Sequence, residues 1–163
     1  MIRAAQSVYF TALGLWVGGL ATLGAIVAPA VFQKAGSRAD AGRIFGAALQ
    51  TFGIVELFLA GLLLISAWML RKSPGMRWGR LRMFLVAALC VLAVISVCGV
   101  NPAVAQAAGK IGNVDRLAGD DPGRVYFQKL HRLSEGLAGT TLMAGFALLL
   151  LSGASLKPVR DGA

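Results

Sequence analysis

One carboxylate stands inside a long apolar run. Glu56 is the only charged residue between Ile44 and Leu70. It falls near the middle of a stretch long enough to cross a bilayer, where a carboxylate costs roughly 2.5–3.5 kcal/mol on insertion scales. Two kinds of chemistry justify that cost: handling a proton, cation or substrate, or a hydrogen-bonded tie between helices. His131 is the only histidine. On a helix it reaches Glu135 one turn on, and Ser134 shares that turn. Its imidazole changes charge close to neutral pH, so it is a candidate switch. Asn101 ends another apolar stretch on the same side of the membrane. Glu56, His131, Ser134, Asn101 and Glu135 thus form a candidate intramembrane polar site, a vestibule leading from His131 toward Glu56. The plainer alternative is an interfacial histidine and a buried tie.

No other reactive constellation stands out. Cys90 and Cys98 are too far apart for a CxxC zinc site. Met69, Met76 and Met83 recur regularly, but Pro74-Gly75 interrupts any helix that would align them. A single histidine excludes bis-histidine haem within one chain. Nucleophile elbows, zinc-protease motifs, P-loops and dinucleotide fingerprints are missing. The expectation is no catalytic residue, no metal, no cofactor and no enzyme activity.

Composition says where such a site must sit. The chain has 163 residues, 57% of them apolar and 14% charged. A soluble domain carries roughly 25% charged residues, so this chain cannot cover a water-facing surface of its own size. A soluble enzyme, a disordered tail and a nucleic-acid-binding domain are excluded. The net charge of +9 does not point to nucleic acid, because the basic residues sit between apolar stretches, as membrane topology requires. The expected partner is the lipid bilayer.

Four charge-poor stretches occupy 4–33, 44–70, 83–109 and 136–156, with Glu56 their one charge. A span needs about 20 apolar residues. The expectation is a single all-α domain over 1–163, a four-helix transmembrane bundle with spans at about 5–32, 42–70, 82–105 and 133–156. Ala28-Pro29-Ala30 resembles a signal cleavage site, but the apolar run before it is too long for a signal peptide. Ser37 with Asp40 reads as a capping box opening the second helix. Asp121-Pro122 reads as a cap with proline at the first helical position, so the last helix starts near Pro122, outside the bilayer core.

Topology rests on Lys and Arg. Link 71–82 holds five basic residues and no acid, which favours a cytoplasmic link and cytoplasmic termini. Packing rests on small residues. Helix one carries Ala4, Ser7, Thr11, Gly14, Gly18, Ala21, Ala25 and Ala28 on one stripe. Helix two carries Gly42, Gly46, Leu49, Gly53, Glu56, Ala60, Leu63 and Ala67, helix three Met83, Ala87, Cys90, Val94, Val97 and Asn101. Helix four carries Phe127, His131, Ser134, Ala138, Thr141, Gly145, Leu148 and Ser152. Gly14, Gly18, Ala21, Ala25, Gly46 and Gly53 are the expected close-packing positions, inside the bundle or in a homo-oligomer. No inverted repeat is visible.

Three segments carry a resemblance. Gly14-Leu15-Trp16-Val17-Gly18-Gly19 with Ala28-Pro29-Ala30-Val31-Phe32 looks like the first helix of the transmembrane-protein-205-like family. Ala41-Gly42-Arg43-Ile44-Phe45-Gly46 resembles its second-helix entry, and the segment from Phe127 to Ser134 its F-x-x-L-H-x-x-S motif. The resemblance runs from about Leu13 to Leu151. It implies four membrane helices, no established enzyme activity, and a distant likeness to copper resistance protein D, a membrane family linked with copper uptake. The positions it puts at stake are Trp16, Pro29, Phe32, Gly42, Glu56, Phe127, His131 and Ser134. One histidine and scattered sulfurs are too few for the copper link. The resulting expectation is a non-catalytic assembly or stress-resistance component of a bacterial-type cytoplasmic membrane. The alternative is a small oligomeric transporter or channel component for protons, cations or metal, using Glu56 and His131.

Overall fold

A computed structural model describes residues 2–71, 79–112 and 117–154. The Pro74-Gly75 turn, Lys157 and Arg160 lie outside the described residues. Four helices dominate: α1 Ile2–Lys34, α2 Arg38–Leu70, α3 Gly79–Ile111 and α4 Pro122–Ala154. Each is long and apolar enough to cross a membrane, and no strand occurs among the described residues. The fold is an all-α bundle, as the charge-poor stretches require.

Helix starts follow local chemistry. Ser37 Oγ accepts the Asp40 backbone N–H at 3.1 Å and donates to its carboxylate at 2.8 Å. Asp121 Oδ1 accepts the N–H groups of Gly123 and Arg124 at 2.8 and 3.1 Å. Both caps satisfy donors that a helix leaves unpaired in its first turn. The last helix begins at Pro122 and runs without a break into its span.

α1 and α3 share a second device. Each contains a π-helical turn, Leu23–Val27 and Ile95–Val100, just ahead of a proline. Ala28 N–H bonds Leu23 O, and Asn101 N–H bonds Ser96 O, five residues back in each case. Proline has no N–H, and its ring crowds the carbonyl four residues earlier. The wider turn relieves that crowding where Pro29 and Pro102 enter. The sequence around these turns repeats: Val27-Ala28-Pro29-Ala30-Val31 against Val100-Asn101-Pro102-Ala103-Val104. The following helix starts repeat too, Asp40-Ala41-Gly42-Arg43 against Asp121-Pro122-Gly123-Arg124. The two helix pairs thus share these local marks.

α1 packs on α2 and α4, and α3 packs on the same two helices, closing a ring. Its core is Tyr9, Leu13, Trp16, Leu63, Leu70, Val86, Leu89 and Leu148. Nothing between Leu23 and Lys34 is buried, so the part of α1 beyond its π turn stands off the core.

Two packing stripes need correction. On α1 the inward face is Ala5, Tyr9, Ala12, Leu13, Trp16 and Leu20. The small-residue stripe points out of the bundle: Ala4, Ser7, Thr11, Gly14, Gly18 and Ala25 are exposed and Ala21 is half-buried. A Cβ placed on Gly14, Gly18 or Gly46 meets nothing within 4 Å. The physical reason is the pair of aromatics. Tyr9 and Trp16 carry polar hydrogens that lipid cannot satisfy, and both find partners inside. On α3 the buried set is Arg82, Val86, Leu89, Ala93, Ser96 and Val100, one position round from most of the expected stripe. On α2 the inward face runs through Gly53, Glu56, Ala60, Leu63 and Ala67, and on α4 through Ser134, Thr141, Gly145, Leu148 and Ser152. Of the expected close-packing glycines only Gly53 needs its smallness, since a methyl there would lie 3.1 Å from Val97; Gly145, on the expected stripe of α4, needs it too, at 2.8 Å from Val17, and so does Gly19, off the expected stripe, where a methyl would overlap the Phe52 ring.

Candidate functional site

Glu56 reaches its place because α2 is capped at Ser37 and runs straight through the bundle. Its inward stripe then meets the aromatic face of α1. Trp16 Nε1 donates to Glu56 Oε1 at 2.9 Å. Both side chains are buried, at 2% and 6% exposure. A carboxyl in an apolar setting demands a donor and an indole N–H demands an acceptor; each meets the other's need. No residue of α1 from Ile2 to Gln33 carries a charge except Arg3, so the joint is polar and otherwise surrounded by hydrocarbon.

His131 lies elsewhere. Val17, the neighbour of Trp16, faces Gly145 of α4. His131 is fourteen residues from Gly145, about 20 Å along the helix at 1.5 Å per residue. Its imidazole is exposed, with Nε2 at 3.2 Å from Glu135 Oε1, and its ring stacks on Phe127 with centroids 5.6 Å apart. This pair occupies the outside of α4 rather than the mouth of a vestibule. His131 and Glu56 share no site, and the transport reading that joined them loses its geometry.

Asn101 and Ser134 do meet. Ser134 Oγ donates to Asn101 Oδ1 at 2.9 Å, in a buried contact between α3 and α4. It lies beside the π turn and ties the second helix pair. The five expected site residues therefore fall into three groups: Glu56 with Trp16, Asn101 with Ser134, and His131 with Glu135.

Two further polar joints escaped the sequence reading. Tyr9 and Ser152 share a hydrogen bond of 2.8 Å between α1 and α4. Arg82, counted among the link charges, is 4% exposed and donates from Nη2 to the Leu70 carbonyl at 3.0 Å. Its guanidinium carbon stands 5.7 Å from the Tyr9 ring centre. The signal was present for Trp16 and Tyr9, since an aromatic with a polar hydrogen in a membrane helix needs a partner. For Arg82 it was hidden, because a basic residue at a span end also reads as topology.

No cluster suited to a metal ion occurs among the described residues. Cys90 and Cys98 are free thiols, and Cys90 Sγ contacts the Ala60 carbonyl at 3.5 Å. A surface groove of about 300 Å³ runs between α1 and α2 and is lined by apolar and hydroxyl side chains, Thr11, Leu15, Phe58 and Leu62 among them. Neither Glu56 nor His131 opens into it.

Four apolar helices joined by sealed polar contacts define a multi-pass helical membrane protein. Within that class, residues 11–112 match the family described as a domain of unknown function, DUF4149, and the chain belongs to that family. The match runs from α1 to just past α3 and takes in Trp16, Glu56 and Arg82. No curated protein and no solved structure matches the chain.

Proposed function

We propose that this protein is a non-catalytic membrane component that acts by assembly, with the outer face of α1 as its contact to a second copy. The observation that carries the reading is the position of Gly14 and Gly18. They form a GxxxG pair, both are exposed, and no atom of the bundle approaches a Cβ on either. In lipid, such faces let two backbones come close. Glu56 then serves as an internal tie. The likeness of Phe127–Ser134 to the transmembrane-protein-205-like family supports a stress-resistance role within the same reading. The density of Lys and Arg in link 71–82 supports insertion in the cytoplasmic membrane with both termini inside.

Cross-linking tests the assembly. Gly14→Cys, oxidised in native membranes, is expected to give a disulfide-linked dimer. Ile54→Cys, on an exposed position of α2, is the control and should stay monomeric. Equal cross-linking at both positions, or none at Gly14→Cys, would count against the assembly face. A thiol at Gly119 should react with an impermeant reagent applied outside the cell; protection there would reverse the topology.

A further inference from the structure

α1 is longer than the bilayer it crosses. Its charge-free run, Ala4 to Gln33, has thirty residues, about 45 Å at 1.5 Å per residue, against a hydrocarbon core of about 30 Å. Arg3 and Lys34 close the run at its two ends, and both charges belong outside the hydrocarbon. An upright helix would push about ten apolar residues into the headgroup layers. A run with that excess is accommodated by tilt or by a kink.

The part of α1 before the π turn is not free to tilt. Ala5, Tyr9, Ala12, Leu13, Trp16 and Leu20 are buried. Trp16 is bonded to Glu56 of α2 and Tyr9 to Ser152 of α4, and Gly19 is pressed against Phe52. Past Leu23 these holds end. From Leu23 to Lys34 no residue is buried, and Ile26 and Phe32 are 65% and 49% exposed. No side-chain hydrogen bond joins this segment to another helix among the described residues. The boundary is the π turn Leu23–Val27 with Pro29 just after it. Proline supplies no N–H to the helix ladder, and π turns and prolines are where helices bend.

α3 has the same turn and the same proline spacing, yet it is held beyond them. Val100, Asn101 and Ala107 are buried. Asn101 accepts from Ser134 at 2.9 Å, and Val97 packs against Gly53. The same local device thus sits in one helix with ties beyond it and in the other without.

We infer that α1 beyond Leu23 is an arm that pivots at the π turn to match bilayer thickness, while the corresponding part of α3 stays fixed to α4. Ile26 and Phe32 couple the arm to the lipid, because its angle sets how much apolar side chain lies in the headgroup layer. A thin bilayer tilts the arm toward the membrane plane, and a thick one straightens it. Gly14 and Gly18 precede the turn, so the pivot does not rest on the assembly face.

Electron–electron double resonance on the full chain tests this, in phosphatidylcholine bilayers with fourteen-carbon and twenty-two-carbon acyl chains. Cys90 and Cys98 are replaced by serine. One labelled pair is Phe32→Cys with Ile65→Cys, and the reference pair is Ala105→Cys with Ile65→Cys. All three positions are exposed, and Ala105 follows Pro102 as Phe32 follows Pro29. Labelled chain is diluted with unlabelled chain, so that distances within one chain are read. From the thin to the thick bilayer, the Phe32–Ile65 distance is expected to lengthen by about 5 Å and the Ala105–Ile65 distance by less than about 2 Å. Pro29→Ala restores the N–H and should at least halve the Phe32 shift. Equal shifts in the two pairs would mean that both helices bend alike and would overturn the assignment to α1. A Phe32–Ile65 distance that does not respond to thickness would overturn the arm, whatever Pro29→Ala does. A full shift retained in Pro29→Ala would overturn the π turn as its pivot.

Discussion

The two helix pairs carry the same marks and are joined differently. Each has a π turn before a proline in its first helix and an Asp-x-Gly-Arg start in its second. Aligned on those marks, Leu89 stands where Trp16 stands, and Leu137 where Glu56 stands. In return, Ala28 and Gly53 occupy the places of Asn101 and Ser134. So the first pair is tied in mid-core by an indole and a carboxyl, the second at the far end by an amide and a hydroxyl. Where one pair is polar, the other is apolar or small. Local sequence fixes kinks and caps. The choice of joint is made by which two side chains the packing sets opposite each other.

Removing the bulkiest joint should distinguish the pairs most. Trp16→Ala opens a cavity and strips Glu56 of its donor, an expected loss of about 3–5 kcal/mol. Leu89→Ala, its counterpart, removes packing alone and should lower the melting temperature less in the same detergent. A larger drop for Leu89→Ala would mean that the indole–carboxyl bond adds nothing to the first pair.

Neighbouring glycines give the next test. Gly19→Leu must displace Phe52 and should cost about 1–3 kcal/mol. Gly18→Leu points out of the bundle and should leave the melting temperature unchanged while abolishing Gly14→Cys cross-linking. Comparable destabilisation by both would return the small stripe to the interior.

Glu56→Leu leaves the Trp16 N–H unpaired and is expected to cost about 1–3 kcal/mol. Glu56→Gln keeps an acceptor and should cost less than about 1 kcal/mol. If Gln damages the fold as much as Leu, the charge itself holds the pair, and the tie is not a simple hydrogen bond. In the second pair, Ser134→Ala should cost about 1 kcal/mol, and the double variant with Asn101→Ala less than the sum of the singles, because both remove one contact.

The smallest effect belongs to the exposed pair. His131→Gln breaks a solvent-screened contact with Glu135 and should change stability by less than about 1 kcal/mol. A stronger effect in membranes than in detergent would give His131 a partner beyond this chain.

Hydropathy, charge placement and capping residues by themselves determined four helices, the start of the last at Pro122, and the inward faces of α2 from Gly53 and of α4 from Ser134. These depend on local energetics: a buried backbone in lipid must be helical, and charge must stay at span ends. Tertiary structure alone decided which face of α1 turns inward. Small residues permit close approach, but Tyr9 and Trp16 needed acceptors, and only the assembled ring put Ser152 and Glu56 within reach. It likewise decided that His131 and Glu56 stay apart, because their separation depends on how α4 is set in depth against α1. The burial of Arg82 was equally illegible in sequence. A basic residue at a span end reads as a surface charge until the carbonyl of Leu70 and the ring of Tyr9 close over it.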